Sequence, residues 1–277
     1  MTYEITSIPI ELKVIENSLL IPRLKDYQKQ VQAKYYMETI LVDTIVMEDN
    51  STKVNAYKRI VEQANYKKAY TLNKNSDVLV CVEMSSDNKK NIVWIAKKFT
   101  KQIQMMEYVS TGLVFFEIAM KEGLFPLHAS AIAYQNQAIL FSAPAGVGKS
   151  TQAILWEQEE AIRFINDDKP LIEFSNPVQI HGSPWCGKTM LQSNTSYPLA
   201  CILFIVQDKK DFVEEMTANE KIIHLIKNTH RSDNPVLQQA LLNQVDQLIT
   251  TARIARLHCT PTKNAVQVVK EYLNGLQ

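Results

Sequence analysis

The stretch Ala138 to Thr151, Ala-Ile-Leu-Phe-Ser-Ala-Pro-Ala-Gly-Val-Gly-Lys-Ser-Thr, has the spacing in this chain that most directly suggests chemistry. The apolar run Ala138 to Phe141 predicts a buried strand. Small residues follow, then Gly148-Lys149-Ser150-Thr151 and an apolar pattern of helical period. Strand, small-residue loop and helix form the setting in which backbone N–H groups converge on phosphate oxygens, with the positive end of a helix dipole behind them. The predicted cradle is Ala145, Gly146, Val147, Gly148, Lys149, Ser150 and Thr151. Gly146 and Gly148 let the chain turn without a Cβ clash. Lys149 is placed to reach the β/γ-phosphates and the Ser150 hydroxyl to meet Mg2+. Ala143 stands where the pattern has its first glycine, a modest departure. The ligand this predicts is a nucleoside triphosphate, ATP, with Mg2+.

Three further groups narrow the chemistry. Asn166-Asp167-Asp168 ends a predicted strand shortly after the loop helix. Phosphoryl transfer to an alcohol needs one carboxylate beside the metal and another to take the hydroxyl proton, and adjacent aspartates can divide those roles. An acidic turn is ordinarily just solvated; its distance from the phosphate loop favours function here. Their polar setting also predicts that the fold tolerates their removal. His128 precedes the loop strand, where its ring can face the phosphates and orient a carboxylate, although a lone strand histidine is most often a core residue. The segment His181-Gly-Ser-Pro-Trp-Cys-Gly-Lys188 reads as a shaped loop, with Lys188 available to neutralise a transferred phosphoryl group. The expected acceptor pocket lies between the phosphate loop, His128 and this segment.

Taken in order, His128, the 143–150 loop and Asp167-Asp168 resemble the HPr kinase/phosphorylase family, itself related to phosphoenolpyruvate carboxykinases. The resemblance covers residues 125 to 190 and extends more loosely to 277. It implies a P-loop mixed sheet flanked by helices, and ATP- and Mg2+-dependent transfer of phosphate to a serine hydroxyl. It carries over Lys149 as a phosphate contact and Ser150 as a metal contact. Asp167 and Asp168 come over as the base and metal-side acids in unassigned order, with His128 as their neighbour. The N-terminal region and the regulatory segment of HPr kinases have no counterpart here, so neither HPr as target nor the reverse phosphorolysis is carried over. The Pro-Trp-Cys-Gly-Lys loop resembles a divergent branch associated with peptide modification. The implied acceptor is therefore a peptide, a protein or a small-molecule alcohol. HPr kinases assemble as hexamers, which keeps a homo-oligomer open. A competing reading is an accessory ATPase in which Asp208, after the apolar run Cys201 to Val206, serves the metal.

The elements that must position these groups follow from periodicity. Short strands are predicted at 3–6, 44–47, 78–82 and 91–96. A helix over 100–121 carries Ile103, Met106, Val109, Leu113, Phe116 and Met120 as its core stripe. Strands 127–134 and 137–141 meet at Gln135-Asn136. Helix 152–160, strands 161–165, 171–174, 178–181 and 198–207, helices 219–227 and 235–251, strand 254–259 and helix 262–276 follow. Interleaved strands and helices predict an α/β fold. Residues 1–97 form a smaller α/β or β-rich scaffold or substrate-docking domain, and 98–277 the P-loop domain.

Bulk properties exclude other classes. The 277 residues hold 30 basic and 29 acidic side chains, a formal charge of +1. That balance gives no footprint for nucleic acid or an anionic membrane surface. No run approaches the length of a membrane span, and Met-Thr-Tyr-Glu-Ile-Thr lacks the basic and apolar regions of a signal peptide. The four cysteines are scattered without a Cys-x-x-Cys pair. Disulfides and structural zinc are not expected, and a reducing cytoplasm is the predicted location.

Overall fold

The structure, a computed structural model, describes residues 1–187 and 189–275. The chain is a mixed α/β protein that divides into two compact units, Met1–Ile118 and Ala119–Gln277.

The first unit is an eight-stranded sheet. Its elements are β1 (Thr2–Ile5), β2 (Ile8–Lys13), α1 (Leu20–Arg23), β3 (Tyr35–Val42), β4 (Thr52–Asn55), β5 (Lys58–Glu62), β6 (Tyr66–Leu72), β7 (Val78–Ser85) and β8 (Lys90–Ala96). The strand order is β1-β2-β3-β8-β7-β6-β5-β4. β2, β3 and β8 run parallel, and the remaining neighbours are antiparallel. Ile8, Ile10 and Leu12 alternate inward along β2, as a half-buried strand demands.

Residues 44–47 form no strand; the ladder ends at Val42. Their alternation has another origin, because Ile45 and Met47 pack on the cluster of Val61, Tyr70, Leu72, Val78 and Cys81 without pairing their backbone. α2 (Ile103–Lys121) also differs from its predicted stripe. Phe116 and Met120 are buried, but Val109 and Leu113 are 49% and 48% exposed. The buried face instead includes Glu107, Ser110, Thr111, Val114, Phe115 and Ile118.

The second unit is built around β9 (Phe125–Pro126), β10 (Ala129–Tyr134), β11 (Gln137–Ser142), α3 (Lys149–Glu159), β12 (Arg163–Asn166), β13 (Leu171–Glu173), β14 (Gln179–His181), β15 (Ser196–Gln207), β16 (Phe212–Glu215), α4 (Ala218–Lys227), α5 (Pro235–Thr251), β17 (Ile254–Cys259) and α6 (Asn264–Asn274). β11, β15 and β17 form its parallel centre. β10 and β12 extend it on one side through antiparallel pairs, and β16 closes the other. The first part of β15 pairs with β14, which leads to β13 and β9.

Alternation along the central strands fills both faces of this sheet. Ile139, Phe141, Cys201, Leu203, Ile205 and Leu257 pack with Ala153 and Trp156 of α3 and Val266 and Val269 of α6. Leu140, Ile202, Phe204 and Ile254 pack with Leu225 of α4 and Leu237, Leu241, Val245 and Leu248 of α5. Two helices on each face of a sheet give a three-layer sandwich. Trp156 anchors α3: it is fully buried, with Tyr134 edge-on at 5.0 Å and Phe141 at 6.4 Å. Helix α5 starts with Asn234, whose side chain accepts from the Val236 N–H, and with Pro235 in the first turn. All four cysteines are free and buried.

Candidate functional site

The parallel centre places four strand ends at one pole. β11 ends at Ser142, and Ser142 pairs with Ala129 at the start of β10. β12 ends at Asn166, opposite Ala131. β15 ends at Gln207, opposite Cys259 at the end of β17. The 143–148 loop, His128, Asp167, Asp168 and Asp208 all leave the sheet at this pole.

The loop has the conformation its glycines suggest. Gly146 and Gly148 have φ of +82° and +122°, values that L side chains rarely adopt. Gly148 is the N-cap of α3. No side chain caps that helix, and no acidic residue occupies its first turn. The first-turn N–H groups and the dipole therefore face the pole without a competing anion. Lys149 is buried, and its Nζ donates to the Ala143 carbonyl at 2.9 Å and the Pro144 carbonyl at 3.3 Å. Burial pushes the Lys149 ammonium below its ordinary range; the charge of Asp168 works against that shift and Lys169 works with it. Ala145, Gly146, Ser150 and Thr151 are exposed, and Val147 is half-buried.

The aspartates occupy different surroundings. Asp167 is 4% exposed, and its carboxylate accepts from the Gly187 N–H and the Thr189 hydroxyl. A Cβ on Gly187 would lie 2.8 Å from Asp167 Oδ2, so that contact requires glycine. The expectation that the fold tolerates loss of either aspartate does not fit Asp167, whose buried carboxylate holds Gly187 and Thr189. Asp168 is more open. His128 Nε2 lies 3.1 Å from its Oδ1 and Lys169 Nζ 3.3 Å from its Oδ2. Burial pushes the Asp168 carboxyl up, but the His128 hydrogen bond and the Lys169 charge outweigh it. The net effect holds the group below the usual carboxylate range.

Asn166 shapes this corner. Its Oδ1 accepts from the Asp168 and Lys169 N–H groups at 2.8 and 2.6 Å, and its Nδ2 donates to the Ser183 carbonyl at 2.9 Å. The first pair is an Asx-type turn, a use of Asn that sequence alone can suggest. The segment after His181 is not an ordinary surface loop. Ser183, Trp185 and Cys186 are buried, and a Cβ on Gly182 would meet the Ser193 carbonyl at 2.0 Å. Lys188 lies outside the described residues.

Two contributors were not singled out from sequence. Lys169 follows the aspartate pair directly, and that adjacency was a readable signal. Gln207 Nε2 donates to the Val147 carbonyl of the loop at 3.1 Å, a contact across 60 residues with no sequence signature. Asp208 turns elsewhere: its Oδ2 lies 2.9 Å from His258 Nδ1, and its Oδ1 accepts from the Lys209 N–H at 2.6 Å. The His258 hydrogen bond lowers the Asp208 carboxyl from its ordinary value. Among the described residues, no three His, Cys, Asp or Glu side chains cluster to hold a metal ion, and no helix is long and apolar enough to cross a membrane.

No protein-family model matches the chain, and no curated protein matches it. Among solved structures, that of the Hpr(Ser) kinase/phosphatase from Coxiella burnetii is similar over 55% of this chain and 97% of that chain, with a TM-score of 0.31 and 9% identity. The functional reading rests on the site's own geometry.

Proposed function

We propose that the second unit is an HPr-kinase-like phosphotransferase that moves the γ-phosphoryl group of ATP, with Mg2+, to an alcohol. The acceptor class is a serine hydroxyl of a peptide or protein, or a small metabolite. The observation that carries this reading is the pairing of Asp168 with His128 at the strand end beside the Lys149 loop. A phosphate cradle alone suits many nucleotide-binding proteins; a polarised carboxylate beside it suits proton removal from an alcohol.

The residues fit the nucleotide. Positive-φ glycines, an uncapped helix start and a buried lysine form an anion cradle at 145–151. They also fit magnesium, which is commonly held by one or two carboxylates plus substrate phosphates rather than by an all-protein cage. Ser150 and the aspartate pair are the metal-side groups. When bound, the nucleotide supplies the transferable phosphoryl group and the metal offsets its charge.

The side chains divide the remaining work. Asp168 is held ionised at neutral pH, so its carboxylate can accept the hydroxyl proton on a lone pair that its hydrogen bonds leave over. His128 and Lys169 grip one oxygen each and restrict how the carboxylate turns. Lys149 holds positive charge at the loop, where transfer spreads negative charge over phosphoryl oxygens. Asp167 accepts from Gly187 and Thr189, leaving Asp168 as the proton acceptor. Positioning and charge neutralisation supply most of such a rate enhancement. The first unit serves as scaffold or acceptor dock.

The test is incubation with γ-labelled ATP and Mg2+ against serine peptides, small alcohols and water alone. Label on an acceptor, lost with Lys149→Ala, is the expected result. Label released only to water, at an equal rate in Asp168→Asn, overturns the kinase reading.

A further inference from the structure

The two flanks of the phosphate loop differ. β11 delivers the loop, with β10 and β12 on one side of it and β15 and β17 on the other. His128 and Asp168 stand on the first side. On the nucleotide reading proposed above, the γ-phosphoryl group faces Asp168, so the nucleoside end of the ligand lies toward the second side. Gln207 is the last residue of β15 there, and its exposed side chain reaches back to the loop.

One end of that carboxamide is committed. A carbonyl oxygen only accepts, so the 3.1 Å contact with the Val147 carbonyl requires the Nε2 end at the loop and leaves Oε1 as the other end. The backbone behind it is held too: Gln207 pairs with Cys259 in the β15–β17 ladder, and the Asp208 N–H donates to the Cys259 carbonyl at 3.1 Å. Gln152 of α3 ties the same corner, its Nε2 donating to the Thr260 carbonyl at 3.4 Å. The acidic side chains of the turn after Gln207 are engaged elsewhere. Asp208 meets His258 and the Lys209 N–H, and Asp211 accepts from Thr260 and Asn264. Gln207 keeps Oε1 and the second hydrogen on Nε2, and neither meets a partner among the described residues.

We propose that Gln207 reads the base of the bound nucleotide and selects adenine. An acceptor and a donor on one carboxamide match the N6 amine and the N7 of adenine, the pairing that glutamine makes with that base. N7 belongs to the ring that carries the ribose and so lies nearer the phosphates, on the side where Val147 holds Nε2. Guanine and hypoxanthine carry an oxygen at position 6, which would face Oε1 acceptor to acceptor. A site built to pair a donor rejects a ligand lacking it, because its own acceptor is then left unmet.

Titration calorimetry of the full chain with the Mg2+ complexes of ATP, ITP, 7-deaza-ATP and tripolyphosphate tests this. ITP replaces the N6 amine by an oxygen, and 7-deaza-ATP replaces N7 by carbon. Wild type is expected to bind ATP about tenfold or more tighter than either analogue, equivalent to about 1.4 kcal/mol, a comparison that needs no variant. In Gln207→Leu, a change at an exposed position, the three nucleotides are expected to converge on one affinity while tripolyphosphate binds as in wild type. Lys149→Ala is expected to weaken all four. An absence of nucleotide binding, or binding indifferent to Lys149→Ala, overturns the nucleotide reading and this proposal with it. Binding that needs Lys149 but does not prefer ATP over the analogues, or keeps that preference in Gln207→Leu, overturns the role of Gln207 alone. Loss of tripolyphosphate binding in Gln207→Leu would make the residue a prop of the loop and overturns that role equally.

Discussion

His128 Nε2 sits 3.1 Å from Asp168 Oδ1, joining the residue that precedes β10 to the residues that follow β12. The contact is possible because β10 lies between β11 and β12 and its start shares a pole with their ends. It holds Asp168 against an imidazole, while the Asp167 carboxylate accepts from Gly187 and Thr189, so the two neighbouring carboxylates differ in their surroundings.

That difference predicts distinct phenotypes. Asp168→Asn should cost less stability than Asp167→Ala, because Asp168 is the more open of the two, and lower phosphoryl transfer by about 10²–10⁴-fold, the usual worth of a positioned acid or base. Asp167→Ala should cost about 1.5–3 kcal/mol, the usual worth of hydrogen bonds to a charged group, because it removes the buried carboxylate that the Gly187 N–H and the Thr189 hydroxyl donate to. Urea unfolding beside label transfer separates the two effects. Equal stability losses in both variants would contradict the division.

The pH dependence follows from Asp168. Its folded pKa is depressed, so its contribution to stability is complete above the ordinary aspartate range. That contribution is lost as pH falls through the lower folded value. Thermal unfolding from about pH 7 to about pH 2 should therefore show wild type above Asp168→Asn at neutral pH, with the curves converging only in strong acid. His128→Ala should raise the Asp168 pKa and move that convergence to higher pH.

Backbone conformation at the loop gives a third prediction. A Cβ on Gly148 meets nothing within 4 Å, so Gly148→Ala creates no clash, but φ of +122° strains any L side chain. The expected cost is about 1–3 kcal/mol, the usual range for a residue held in so sparsely populated a conformation. The loop can relieve that strain only by leaving the cradle shape. The nucleotide-dependent rise in melting temperature should then shrink or vanish, as thermal shift with Mg-ATP would record.

Gly182 tests the opposite case. Its Cβ would fall 2.0 Å from the Ser193 carbonyl and 2.6 Å from that of Ile165, so the problem at Gly182→Ala is space. Overpacking typically costs about 1–3 kcal/mol, and a contact with backbone on both sides belongs at or above the top of that range. A melting temperature equal to wild type would contradict the close packing of Gly182 against the Ser193 and Ile165 carbonyls.

What the sequence made legible was the part written locally. β11, the loop and α3 stand in a row, with apolar alternation and glycines marking each change. α5 announces its start with Asn234 and Pro235, and its observed span matches the predicted one. β4 was illegible because all four of its residues are exposed, so no alternation marks it as a strand. The stripe on α2 misled because polar Glu107, Ser110 and Thr111 take buried positions while Val109 and Leu113 face out. The roles within the site depended on long-range contacts. Asp167 is met by residues 20 and 22 positions away, and adjacency to Asp168 gave no hint of that difference.

The most direct test of the central claim is the partition of γ-label between acceptor and water in wild type, Asp168→Asn and Asp208→Asn. The account predicts label on an alcohol acceptor in wild type and in Asp208→Asn, with transfer to acceptor abolished in Asp168→Asn. Undiminished transfer in Asp168→Asn, or loss of turnover confined to Asp208→Asn, would contradict it.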